Sequence, residues 1–195
     1  LVLASAGSGK TRVLTERIKR LSETVDGKIL AITFTNKAAN EIRERLGTSD
    51  KIRKNVFVGT FHSFCQSILE LRFKLLGYNR MPHIFEDDSD RLELIKQAIK
   101  SVPYFESIYT ELEPKKKNEY TYNALQFIST VKRDLLSAEE LAENSENNEY
   151  QYLFETYQDI LKSNNAIDFD DIIRLVYELF TNNSSVANLY RKAYS

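Results

Sequence analysis

Apolar and polar positions fall into blocks that switch between strand-like runs and helix-like spacing. Leu1-Val2-Leu3 reads as the end of a buried strand, and a small, glycine-rich loop follows it. From Thr11 to about Thr24, Leu14, Ile18 and Leu21 recur at spacings of four and three, which predicts a helix with that face inward. Asp26-Gly27 turns the chain into Ile29-Leu30-Ala31-Ile32-Thr33-Phe34, a short apolar run typical of a buried parallel strand. Asn36 to Leu46 predicts a second helix, with Ala38, Ala39, Ile42 and Leu46 on one side, and Gly47-Thr48-Ser49-Asp50 ends it. Val56-Phe57-Val58 is a third strand, and Gly59-Thr60 leads into a helix from about Ser63 to Leu76. Strand and helix thus alternate three times, which argues for a parallel, doubly wound α/β core.

Near Gly77 the rhythm changes. From Pro82 to about Asn165 no strand pattern stands out, whereas Leu92, Ile95 and Ile99 keep one helical face and Leu125, Ile128 and Val131 another. Pro103, Pro114 and the Lys115-Lys116-Lys117 run separate these helices, and the polar stretch Glu139 to Glu149 suits a loop or a helix end. A last helix, about Phe169 to Phe180, carries Ile172, Ile173, Val176, Leu179 and Phe180 on its buried side. The expected organisation is the first part of an α/β domain over residues 1–80, a helical insertion over 81–165, and a return to the α/β domain over 166–195.

Composition narrows the partners. Hydrophobic residues at 42% and charged residues at 28% describe an ordinary globular chain. The net charge of −1 exerts no global pull on nucleic acid, so such a partner needs a local basic surface. One cysteine, Cys65, excludes an internal disulfide and fits a reducing, cytoplasmic compartment. No apolar run approaches the ~20 residues that span a bilayer, so no membrane partner is expected. The chain begins without Met and stops in Tyr194-Ser195 with no evident terminator, as a piece of something longer would.

The chemistry concentrates in Ala4-Ser5-Ala6-Gly7-Ser8-Gly9-Lys10-Thr11. Strand, glycine loop, Gly-Lys-Thr and helix together make a phosphate-binding loop. Gly7 and Gly9 let the backbone curl with its N–H groups inward, and the helix that starts there adds the positive end of its dipole. Lys10 reaches the β- and γ-phosphates of a nucleotide, and the Thr11 hydroxyl holds a magnesium ion. One position departs from the general pattern, since Ala4 stands where its first glycine would be. A plain Gly/Ser turn with a chance Lys-Thr is the alternative.

Four stretches in order carry a further likeness: Ala4–Arg12, Thr33-Phe34-Thr35-Asn36-Lys37-Ala38-Ala39-Asn40-Glu41-Ile42, Gly59-Thr60-Phe61-His62-Ser63-Phe64 and Asp168-Phe169-Asp170-Asp171. This order resembles the superfamily 1 DNA helicases of the UvrD/Rep/PcrA type. The match covers residues 1–76 and 150–180 well, and the stretch between fits the family's helical subdomain by place and length rather than by motif. The resemblance implies a P-loop NTPase of RecA-like fold with a mainly helical inserted subdomain. It implies a motor that hydrolyses ATP with Mg2+, walks on single-stranded DNA, typically 3′ to 5′, and opens duplex at single-strand/duplex junctions. It also implies that Arg12 packs on the adenine and that Phe34, Thr35, Asn36 and Lys37 touch the strand, Phe34 by stacking. Thr60, Phe61, His62 and Ser63 match the next DNA-facing segment. Both segments leave the carboxyl end of a strand, where ligands of open parallel sheets sit. Each pairs an aromatic with small hydroxyl donors, which suits sequence-blind binding.

Plainer readings stand beside these. Phe34 also fits the last core position of its strand, His62 a capping or core histidine, and Cys65 a buried thiol. Asp168, Asp170 and Asp171 resemble a metal cluster but suit the start of a helix better. Lys115–Lys117 reads as a solvated loop, with a duplex-DNA contact as the functional alternative. The family's Asp-Glu pair, which assists magnesium and activates water, does not occur in these residues, so the 195-residue chain alone is expected to hydrolyse ATP poorly. Two further readings are a nucleotide- and DNA-binding module without turnover and part of a helicase–nuclease subunit. A small-molecule kinase would share the phosphate loop but not the Thr-Phe-Thr-Asn-Lys-Ala-Ala segment.

Overall fold

A computed structural model describes residues 9–136, 140 and 149–194. The strand expected at Leu1–Leu3, loop residues Ala4–Ser8 and most of the polar stretch after Glu139 lie outside the described residues. The chain is mostly helical α/β with small parallel sheets. Its described residues fall into two compact units, one ending at Ile68 and resuming at Glu178, the other spanning Leu69–Tyr177.

The first unit begins with α1 (Lys10–Thr24), followed by β1 (Ile29–Thr33), α2 (Asn36–Leu46), α3 (Asp50–Asn55) and β2 (Val56–Thr60). β1 and β2 pair in parallel, from Ile29 beside Val56 to Thr33 beside Thr60. Ile18 of α1, Ala39, Ile42 and Leu46 of α2, and Val58 of β2 form the core between helices and sheet. α2 occupies the bounds expected of it because both ends are specified. Thr35 accepts a hydrogen bond from the Ala38 N–H at 3.2 Å, and Gly47 takes the positive φ of 76° that ends the helix.

Two expectations for this unit are corrected. α1 buries Thr15, Ile18 and Ser22, while Leu14 is about half exposed. The Thr15 hydroxyl donates to the Arg12 carbonyl at 2.9 Å and Ser22 to the Lys19 carbonyl at 2.6 Å, so each small side chain satisfies itself on the preceding turn and can be buried. The segment after Gly47 is also not only a terminator. Ser49 accepts from the Ile52 N–H and starts the short helix α3.

The helix α4 (Phe61–Arg72) continues as a 3-10 turn, Phe73–Leu76. The second unit contains β3 (His83–Phe85), α5 (Asp88–Ser101), α6 (Pro103–Glu111), α7 (Pro114–Arg133), α8 (Glu149–Ser163) and β4 (Ala166–Asp168). α9 (Asp171–Asn182) and α10 (Ser184–Ala193) follow. The stretch expected to lack strands therefore holds β3, which pairs in parallel with β4 through three residues. Three-residue strands carry too few positions to show an alternation. Pro103 and Pro114 each stand in the first turn of a helix, where a missing N–H costs nothing. Lys115–Lys117 accordingly lies in the first turn of α7 rather than in a loop. The core of this unit is apolar and closely packed around Ile95, Ala98 and Ile99 of α5, Ile128 of α7 and Leu153 of α8.

Beside that core sits a buried polar cluster. The Lys132 ammonium, fully buried on α7, donates to Asp168 at 2.7 Å and to Asp171 at 2.9 Å. The Tyr157 hydroxyl donates to Asp168 at 3.1 Å, and Arg91 bridges Asp170 at 2.9 Å and Ser129 at 2.7 Å. Burial pushes the Asp171 carboxyl up, but Lys132 and Arg174 outweigh it and hold the group well below the usual carboxylate range. Asp168 and Asp171 also cap each other, each carboxylate accepting the other's backbone N–H at 3.0 and 3.2 Å. The acidic run is thus a helix start tied to buried cations, and among the described residues no group of three or more His, Cys, Asp and Glu is placed to hold a metal ion.

Candidate nucleotide and nucleic-acid site

The carboxyl edge of the β1–β2 sheet organises the site. Thr33 and Thr60 are register partners at that edge, so the segments that follow them leave side by side. On one side Phe34 is 103% exposed, as free of packing as a side chain becomes. That overturns its reading as a core residue. Thr35 caps α2, and Asn36 and Lys37 follow it in the first, exposed turn.

The other side repeats the plan with a variation. The Thr60 hydroxyl accepts the Ser63 N–H at 3.1 Å, and the Ser63 hydroxyl donates to the Thr60 carbonyl at 2.9 Å. These two residues therefore shape the first turn of α4. Phe61 remains about half exposed and His62 partly so. Each segment thus presents an exposed phenylalanine beside a threonine-capped helix N-terminus, where backbone N–H groups and the helix dipole favour anions.

Gly59 is a residue that pattern reading passes over. A Cβ there would run into the Ser63 hydroxyl and lie 2.8 Å from the Phe57 ring. Gly59→Ala is expected to destabilise the protein by roughly 1–3 kcal/mol, read by denaturant unfolding, because Ser63 must leave its bond to Thr60. Cost-free substitution would show that this turn is loose. A glycine directly before a strand-end threonine was the available signal.

Just before α1, Gly9 adopts φ 80° and ψ 18°, the left-handed region glycine enters without strain, and its carbonyl accepts the Val13 N–H at 3.1 Å. α1 then starts at Lys10, with Thr11 partly buried and Arg12 exposed. Ala4, Ser5, Ala6, Gly7 and Ser8 lie outside the described residues. The part that is described fits a phosphate group, since a glycine-curled backbone runs directly into a helix headed by a cation and a hydroxyl.

Comparison with known proteins decides the family. Residues 1–195 match the UvrD/REP helicase N-terminal domain. The chain belongs to that family. It is 36% identical over 200 residues to a probable DNA helicase II homolog of Mycoplasma capricolum, covering 99% of this chain and 27% of that protein. It is 35% identical over 206 residues to the ATP-dependent DNA helicase PcrA of Bacillus subtilis and 32% identical over 206 to DNA helicase II of Haemophilus influenzae, covering all of this chain and 26% of each. The chain thus spans about a quarter of the length of these UvrD/REP relatives.

Cys65, on α4, is buried, and burial pushes its thiol up to about 11. It stays protonated at neutral pH and is chemically quiet. No helix among the described residues is long and apolar enough to cross a membrane.

Proposed function

We propose that this chain is the nucleotide- and strand-binding part of an ATP-driven motor on single-stranded DNA. The observation that carries the reading is the pairing of two exposed phenylalanines, Phe34 and Phe61, each directly after one of two adjacent parallel strands that end in register. Base–aromatic stacking holds any sequence, because every base has a flat face. The capped helix starts beside the phenylalanines supply N–H groups for backbone phosphates, with Asn36, Lys37 and His62 as further contacts. Thr35, Thr60 and Ser63 act by shaping the two turns.

Membership of the UvrD/REP family supports the rest of the reading. The fold is that of a P-loop NTPase, with a RecA-like domain over 1–80 and 166–195 and a mainly helical insertion over 81–165. The loop Ala4–Gly9 would hold the phosphates of ATP, with Lys10 neutralising their charge, the Thr11 hydroxyl as a ligand for Mg2+ and Arg12 packing on the adenine. Magnesium would supply charge neutralisation at the phosphates when bound. The full-length protein translocates 3′ to 5′ and opens duplex at junctions in DNA repair, recombination or replication, while this chain alone turns ATP over poorly. Lys115–Lys117, lifted onto the first turn of α7, forms a basic contact for the duplex.

Equilibrium binding of a fluorescent oligothymidylate to the full-length protein tests the strand site. Mixed-sequence single strands of equal length should compete within about 3-fold, as stacking predicts. Competition by duplex as strong as by single strand would overturn the reading.

A further inference from the structure

We propose that Arg43 is a positioning residue that fixes the spacing between the two strand-gripping segments, an inference that rests on the single-strand reading above. Arg43 lies on the third turn of α2, away from both phenylalanines. Its guanidinium donates twice to the Val58 carbonyl of β2, from Nε at 3.1 Å and Nη2 at 2.6 Å. The third contact, from Nη1 to the Asn40 side-chain oxygen at 2.6 Å, holds the planar group to its own helix.

The consequence is a closed frame. β1 leads through Phe34 and Thr35 into α2, α2 returns through Arg43 to β2, and β2 pairs back onto β1 in register. Val58 stands two residues before Thr60 on the strand that delivers Phe61. Apart from this tie and the short Phe34–Thr35 connection, the contacts described between α2 and the sheet are apolar, and such contacts are non-directional and tolerate sliding. With the tie, a forked, charge-assisted contact sets the helix against one peptide group of β2. The two phenylalanines then meet a strand as one unit with one spacing, and stacking on the first places the next bases for the second.

A mutant cycle reads this directly. Affinity for oligothymidylate at fixed salt is measured for Phe34→Ala, Phe61→Ala and their combination, first in the unaltered full-length protein and then with Arg43→Gln. In the unaltered protein the combined loss should fall short of the product of the single losses by about 3-fold or more, the size of coupling seen for sites that act together. With Arg43→Gln the combined loss should equal the product. A residue that merely stabilises the fold would lower affinity or melting temperature and leave this ratio unchanged. Arg43→Lys, which keeps the charge but has no fork, carries the same cycle if the glutamine variant fails to fold. Equal coupling with and without Arg43, or additive losses in the unaltered protein, overturns the inference. No loss from either phenylalanine substitution overturns the single-strand reading itself.

Discussion

Replacing Lys132 by methionine is expected to destabilise the protein by about 3–5 kcal/mol, the cost of leaving buried charge without its partner. The substitution conserves length and apolar bulk, so loss of packing contributes little. What it leaves is Asp168, fully buried, and Asp171, 2% exposed, facing each other without their shared cation. Arg91 stands 3.6 Å from Asp168 and Arg174 bonds Asp171 at 2.9 Å, so each carboxylate keeps one cation while the pair loses the one it shares. Adding Asp171→Asn to the methionine variant should recover part of the loss by removing one of the two adjacent carboxylate charges that Lys132 had bridged. Denaturant unfolding monitored by circular dichroism provides both numbers. A cost under about 1 kcal/mol would mean that water reaches the cluster.

Phe34→Ala should do the opposite, disturbing binding and not folding. The ring is fully exposed, so its removal should change stability by no more than about 0.5 kcal/mol. If it stacks on a base, single-strand affinity should fall by about 5- to 150-fold, the equivalent of 1–3 kcal/mol. The separation of the two effects is the informative part. A phenylalanine that anchored an adjoining protein surface would leave oligonucleotide affinity unchanged.

How far the sequence carried is best seen at particular residues. α2 was legible to both ends because Thr35 and Gly47 mark them chemically and Ala39, Ile42 and Leu46 mark its inner face. β2 was legible as a strand, though two residues shorter than it is, because a terminal Gly-Thr looks like a turn. The inner face of α1 was legible at Ile18 but not at Thr15 and Ser22, because hydropathy ranks Leu14 above them, whereas helix approach favours small side chains that bond to their own backbone. The lysine run of α7 looked like a loop because three like charges at a helix start oppose the dipole. Their placement is bought by Pro114 in the first turn and by Lys117, whose ammonium lies 5.3 Å from the Tyr109 ring centre.

The candidate site divides in the same way. Which residues gather at the sheet edge followed from the order of strands and motifs, since residues after a strand end must emerge there. Which side chains face outward did not. Thr60 and Ser63 are hydroxyl donors in the sequence, and only their mutual bonds show that they shape a turn. Asp168, Asp170 and Asp171 were legible as a helix start, but their cations, Lys132 and Arg91, were not, since these lie 36 and 79 residues away along the chain. Arg43 gave no signal at all, for a charged residue on the third turn of an amphipathic helix reads as solvent-facing.

In the proposed motor, nucleotide turnover and single-strand binding depend on one another. Phosphate release from ATP by the full-length protein, with and without oligothymidylate, tests it most directly when run beside Lys10→Ala. Strong stimulation by the strand is expected, with a loss on the order of 10²-fold or more for the substitution, from the proposed role of Lys10 in neutralising charge on the transferred phosphate. Release that ignores the strand, or that survives Lys10→Ala, would contradict it.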